Sequence, residues 1–177
     1  MTAQQIAAAM QRVEAVMRRR PDADLHDDAP ATARWGSGTR IVACPANGAR
    51  VATDMPRELG GSGDEVTPGW LFRAGAAACT ATRIAMAAAQ AGITLDALDV
   101  VVGSRSDTRG LLGLAEADGR PVPAAPHSME MRVAIAARGV PSERLRALVD
   151  EGYRRSPVAC AIGEGVPLTL RIETGES

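Results

Sequence analysis

The 177 residues suffice for one domain with a sizeable core and are too many for a disulfide-braced miniprotein. Hydrophobic residues at 46% and charged ones at 23% match an ordinary globular chain, so disorder and coiled coil are both poor descriptions. With 20 basic against 21 acidic residues and a net charge of −1, the chain lacks the footprint of a nucleic-acid binder, and one Phe, two Trp and one Tyr leave little for bases to stack on.

Residues 2–20 set Ile6, Met10, Val13 and Met17 at steps of four, three and four, the apolar stripe of an amphipathic helix that Pro21 ends. Arg18, Arg19 and Arg20 in its last turn suit the negative end of the helix dipole. Residues 21–30 are acidic and proline-bounded and read as a linker. The chain therefore divides into an N-terminal helix with linker, residues 1–30, and one domain, residues 31–177. Strand-compatible runs at Ala33-Arg34-Trp35, Arg40-Ile41-Val42-Ala43 and Ala49-Arg50-Val51-Ala52 are separated by Gly36-Ser37-Gly38 and Asn47-Gly48, the pattern of an antiparallel meander. Thr53-Asp54-Met55-Pro56 reads as a turn and Leu59-Gly60-Gly61-Ser62-Gly63-Asp64 as a flexible loop.

Thr67-Pro68 is a strong helix start, with Thr67 as N-cap and Pro68 where a missing N–H costs nothing. The helix runs to Gly92, and its many alanines let neighbouring backbones approach on all sides, which predicts an enclosed helix and a water-excluded Cys79. Residues 98–104 read as a strand, and residues 129–137 as a second one, with Met129, Met131, Val133 and Ile135 on its dry face. Between them, residues 107–126 form an excursion. Within Ser104-Arg105-Ser106-Asp107-Thr108-Arg109-Gly110 a capped turn with an Asp–Arg pair is expected in preference to an anion site. Pro141-Ser142-Glu143 opens a helix with Ser142 as N-cap and Leu145 and Leu148 inward. Ser156-Pro157 starts a short helix over residues 158–162, and residues 166–172 read as a closing strand. This order is α+β and not alternating βαβ.

All of the basic residues are Arg, which excludes Schiff-base and lysine general-base chemistry. Two histidines, His26 and His127, supply neither a triad nor a histidine-rich metal site, and no cofactor is expected. Cys44, Cys79 and Cys160 are odd in number and include no Cys-x-x-Cys, so no disulfide framework is read from them. With no signal-peptide pattern and no apolar run of about 18 residues, a cytoplasmic chain with no membrane partner is expected. Cys79 has Arg83 four residues on, about one turn along the same face, and a guanidinium there favours the nucleophilic thiolate. The alternative is a buried small hydrophobe, with Arg83 paired to a carboxylate elsewhere.

The stretch Thr67-Pro68-Gly69-Trp70-Leu71-Phe72-Arg73-Ala74-Gly75-Ala76-Ala77-Ala78-Cys79-Thr80, the helix end at Ala91-Gly92-Ile93 and the Ser156-Pro157-Val158 run resemble the OsmC/Ohr family over residues 31–173. The resemblance implies an OsmC-like α+β fold, an intertwined homodimer in which antiparallel sheets enclose long central helices, with active sites at the subunit interface. It also implies a thiol-dependent peroxidase of the oxidative stress response, reducing organic hydroperoxides or hydrogen peroxide through Cys79. Two positions depart from the family. Ser156 stands where its resolving cysteine precedes Pro-Val, so Cys160, one turn on, or an external thiol reductant would complete the cycle. Gly69 stands where it carries a Glu that holds an activating Arg. Glu65 is the nearest substitute, and Arg40 is the counterpart of that Arg, with Arg34 and Arg50 as competitors. The candidate catalytic residues are thus Cys79, Arg83, Arg40 and Cys160. The departures leave open a non-catalytic dimer that binds a small hydrophobic ligand, or a redox sensor.

Overall fold

The computed structural model describes residues 2–20, 25–45 and 47–174. Helix α1 spans Ala3–Arg19, opened by a capping box in which the Thr2 hydroxyl accepts from the Gln5 N–H and the Gln5 side chain accepts from the Thr2 N–H. Ile6 and Met10 of the expected stripe are half-buried, whereas Val13 and Met17 stay exposed, so α1 docks mainly by its first half. It docks on the long helix α2, Pro68–Gln90, where Gln90 Nε2 donates to Glu14 Oε1 at 2.7 Å. Part of the expected linker, residues 21–24, lies outside the described residues; the rest is irregular and exposed.

Strands β1 (Thr32–Ser37), β2 (Arg40–Cys44) and β3 (Val51–Thr53) form the expected antiparallel meander. Its register, Trp35 opposite Ile41 opposite Thr53 and Ala33 opposite Ala43 opposite Val51, collects these mostly apolar side chains on one face. A parallel bridge from Thr53 to Val66 and the Asp54 N–H donating to Val66 O at 3.0 Å tie the meander to the start of α2.

A second sheet pairs β4 (Ala97–Arg105) with β5 (Ser128–Ala136) over their full length. Alternate residues of both are half-buried and exposed, the one wet face that the alternation predicts. Between them, Asp107 caps the four-residue helix α3, Thr108–Leu111. Against the dry face lie α2 and then α4, Ser142–Arg154. Ile84, Ala87, Ala88 and Leu148 form the core, with Leu98, Val100, Val133 and Ile135 packed on it. The crossing of α2 and α4 is close because Gly152 faces Ile84: a Cβ at that glycine would lie 2.6 Å from Ile84 Cγ1 and 2.9 Å from its Cα. The N-cap of α4 is Pro141, not Ser142, and no side chain caps this helix.

Three other expectations are corrected. Residues 166–172 form no strand: they run past the end of α5 (Pro157–Glu164) unpaired, with Leu168 97% exposed, because a strand is stable only against a ladder partner and no sheet edge among the described residues meets it. Helix α2 is covered along Ala76, Thr80, Ile84, Ala87 and Ala88, while Gly75, Ala78 and Thr82 on the other side are exposed, so one chain does not enclose it. The glycine-rich loop at residues 59–64 is not free but pinned by a buried carboxylate described below.

Candidate functional site

Helix α2 sets Phe72, Gly75, Cys79, Arg83 and Met86 at steps of three and four, one strip along its uncovered side. In the single chain Cys79 is half-buried, where a water-excluded thiol is expected, and Gly75, Ala78 and Thr82 beside it are exposed. Arg83 shares the strip. Its Nη1 donates to Met86 Sδ at 3.5 Å, and its Nε is buried with no hydrogen-bond partner among the described residues. No carboxylate pairs with Arg83 and no hydrogen bond joins it to Cys79 among the described residues. A buried N–H left unpaired is destabilising by about 1–3 kcal/mol, so an acceptor arriving on this strip would be stabilised there.

Ser156 and Thr80 are both fully buried, and the Thr80 hydroxyl donates to Ser156 Oγ at 3.0 Å, joining the start of α5 to α2 next to Cys79. Ser156 is the N-cap of α5 by position, as expected, yet its side chain makes no capping bond. Its hydroxyl instead serves the helix contact. Cys160, one turn into α5, is half-buried, and its thiol donates to the Arg154 carbonyl at 3.3 Å.

Arg40 is brought to Glu65, Nη1 to Oε1 3.8 Å, but mainly to two aspartates. It pairs with Asp64, reaches Asp54 Oδ2 at 3.4 Å and donates to Ser62 Oγ at 2.7 Å. Asp54, 3% exposed, is the hub. It accepts from the Thr39 hydroxyl at 2.5 Å, the Met55 N–H at 2.8 Å, the Ser62 N–H at 3.0 Å and the Ser62 hydroxyl. The Ser62 hydroxyl, then that of Thr39, holds the Asp54 carboxyl well below its ordinary range. Asp64 is lowered to about 2, chiefly by its bond from Arg40. Turn backbone closes on this hub: a Cβ at Gly61 would fall 1.8 Å from Met55 O. Asp54 is the residue that sequence reasoning missed; its signal was a lone acid between a strand and a Pro, ahead of a Gly-Gly-Ser run.

Arg34 and Arg50 have no carboxylate partner among the described residues; both line an open groove of about 640 Å³ on the meander, with Cys44 and Trp35. Gly69 leaves room for a larger side chain, since a Cβ there would meet only Arg73 Nη1 at 3.6 Å and Thr67 Oγ1 at 4.0 Å. Asp107 and Arg109 pair as the capped-turn reading predicts, with Glu116 on the other side of the guanidinium. A cleft of about 190 Å³ lies between α2, the β4–β5 sheet and α5, lined by Ala76, Val102, Met129, Met131, Tyr153 and Ala159 among others, and Cys79 is not in its wall. Among the described residues there is no group of three or more side chains able to hold a metal, and no helix is long and apolar enough to cross a membrane.

Solved structures share this arrangement. An organic hydroperoxide resistance protein of Legionella pneumophila is 24% identical with a TM-score of 0.53, covering 78% of this chain and 91% of its own. An OsmC-like protein of Mycoplasma pneumoniae is 16% identical with a TM-score of 0.62, covering 78% and 89%. An organic hydroperoxide resistance protein of Elizabethkingia anophelis is 21% identical with a TM-score of 0.55, also covering 78% and 89%. At such identities the likeness speaks for the fold alone. No curated protein matches the chain. The family model described as OsmC-like protein matches residues 61–171, from the Asp54-pinned loop through Cys79 and Ser156 to the unpaired C-terminal segment, and on that match the chain belongs to the OsmC-like protein family.

Proposed function

We propose that the protein is a thiol-dependent peroxidase that reduces organic hydroperoxides or hydrogen peroxide through Cys79, working as a homodimer. The observation that carries this reading is the α2 strip: a half-buried thiol one turn from a guanidinium whose Nε is buried and unpartnered. The Cys79 sulfur attacks one oxygen of the O–O bond, and Arg83 stabilises both the anionic sulfur and the charge that develops on the departing oxygen. Phe72 and Met86 give the strip an apolar border suited to an organic substituent on the peroxide. Two family relatives named for organic hydroperoxide resistance support the substrate class.

Support for the dimer comes from exposure. The chain has an accessible surface of 13454 Å², against about 8,200 Å² for a compact monomer of its mass. An excess on the order of 5,000 Å² per chain leaves ample surface for an obligate interface, which takes roughly 1,000–2,500 Å² from each partner. A second reading, a ligand-binding protein without catalysis, rests on the apolar cleft beside Ala76 and on Gly69 and Ser156 at the family's Glu and Cys positions.

Steady-state consumption of cumene hydroperoxide with excess dithiothreitol separates the two. Peroxidase activity is expected in the wild type, absent in Cys79→Ser and reduced roughly tenfold in Arg83→Met. Consumption no faster than the uncatalysed background in the wild type would leave only the binding protein.

A further inference from the structure

Resting on the peroxidase reading of Cys79, we infer that oxidised Cys79 is resolved by a small thiol from solution, through a mixed disulfide, and not by another cysteine of this chain. The geometry of the α2–α5 contact keeps the Cys79 and Cys160 thiols apart. A disulfide needs Cα atoms within about 7 Å and Cβ vectors that converge. The contact between these helices runs through Thr80 and Ser156, both fully buried and hydrogen-bonded at 3.0 Å, with Ala76 and Ala159 buried alongside. Cys79 is turned about 100° around α2 from Thr80, onto the uncovered strip with Gly75 and Arg83. Cys160 is turned by the same angle from Ala159, and its thiol is engaged by the Arg154 carbonyl at the corner between α4 and α5. Moving either helix to carry its sulfur toward the other would disturb a hydrogen bond between two hydroxyls that have no access to water. Cys44 belongs to the meander, in the wall of the groove beside Arg34 and Arg50. The strip that holds Cys79 is open in this chain, and a small thiol needs only to reach its sulfur.

The Cys79 thiolate attacks ROOH; the S–O bond forms, the O–O bond breaks and, with one proton taken up, Cys79–SOH and ROH result. A thiolate R′S⁻ then attacks the Cys79 sulfur; the S–S bond forms, the S–O bond breaks and hydroxide leaves as water with the proton lost by R′SH. A second R′SH attacks the mixed disulfide, returning Cys79 as thiol and releasing R′S–SR′. In sum, one hydroperoxide is reduced to alcohol and water while two small thiols are oxidised to their disulfide.

The test uses the wild-type protein, one equivalent of cumene hydroperoxide and peptide mass mapping. Without added thiol, dimedone is expected to trap Cys79 as its sulfenic-acid adduct, at roughly ten times the yield of any peptide joining Cys79 to Cys160 or Cys44. With glutathione as the probe thiol in place of dimedone, the adduct on Cys79 is a glutathione mixed disulfide that excess glutathione clears. A Cys79–Cys160 disulfide as the main product overturns this inference while leaving the peroxidase reading standing. A Cys79 that is neither trapped nor cross-linked and keeps its free thiol overturns both.

Discussion

Asp54 is a carboxylate with almost no solvent and five donors, and its role is mechanical: it holds the loop that delivers the chain from the meander into α2. Asparagine in its place loses the charge and leaves donors of Ser62 and Thr39 facing an NH₂. Asp54→Asn is expected to lower the melting temperature by roughly 5 °C or more, read by circular dichroism. The pH dependence has a definite sign. Asp54 and Asp64 are both depressed from 3.8 in the folded chain, Asp64 to about 2 and Asp54 further. Their contribution is therefore complete above the unfolded value near 3.8 and is lost as pH falls through about 2. Urea unfolding midpoints of the wild type are expected to fall between pH 4 and pH 2, and the Asp54→Asn, Asp64→Asn double variant to show a shallower fall over the same window. An identical slope would show that other carboxylates carry the acid sensitivity.

At the scale of elements, α2 shows how far local chemistry can be read and where it stops. Thr67-Pro68 is a cap and a first-turn proline wherever it occurs, and the helix begins there, its N-cap hydroxyl accepting from Trp70 N–H at 3.1 Å. The meander and the alternation of β5 were equally legible, because turn residues and a period of two act within a few residues. What was not legible depends on contacts far along the chain. Ser156 reads as a helix cap, but its partner, Thr80, stands on another helix, and the glycine-rich loop reads as mobile unless Asp54 is known to lie under it. Cys79 and Arg83 could be placed on one face from spacing, whereas the unpaired Nε could not.

Gly152 belongs to the same class: nothing in its neighbourhood announces that α2 passes within van der Waals contact. Gly152→Ala is expected to destabilise by about 1–3 kcal/mol in chemical denaturation, despite the better helix propensity of alanine. Gly163→Ala in α5, where an added Cβ meets nothing within 4 Å, is expected to gain roughly 0.5–1 kcal/mol. Equal effects at the two sites would mean that the α2–α4 crossing is looser than described.

Taken as a whole, the chain leaves apolar surface where a folded domain would hide it. Val166, Leu168, Leu170 and Ile172 alternate along an exposed, extended C-terminal segment, and one side of α2 faces solvent. The sequence reads this segment as a closing strand, yet among the described residues it has no ladder partner. In the proposed dimer a second copy would satisfy both features by taking the segment as an added strand and packing along the uncovered side of α2, leaving small molecules a path to Cys79. The protein is expected to sediment as a dimer of 18.4 kDa subunits. Paired aspartates at Leu168 and Leu170 are expected to shift it toward monomer or aggregate, with peroxide reduction falling alongside. A wild type that sediments as a monomer at micromolar concentration would rule the dimer out.

On the proposed function, one sulfur atom of three is set for attack on a peroxide. The most direct measurement is the rate at which each cysteine loses its free thiol when the native protein meets an equimolar organic hydroperoxide, followed by rapid quenching and alkylation with peptide-level mass spectrometry. Cys79 is expected to react at least roughly a hundredfold faster than Cys44 and Cys160, and to lose roughly tenfold of that advantage in Arg83→Met. Three cysteines reacting at similar slow rates, unaffected by the loss of Arg83, would contradict it.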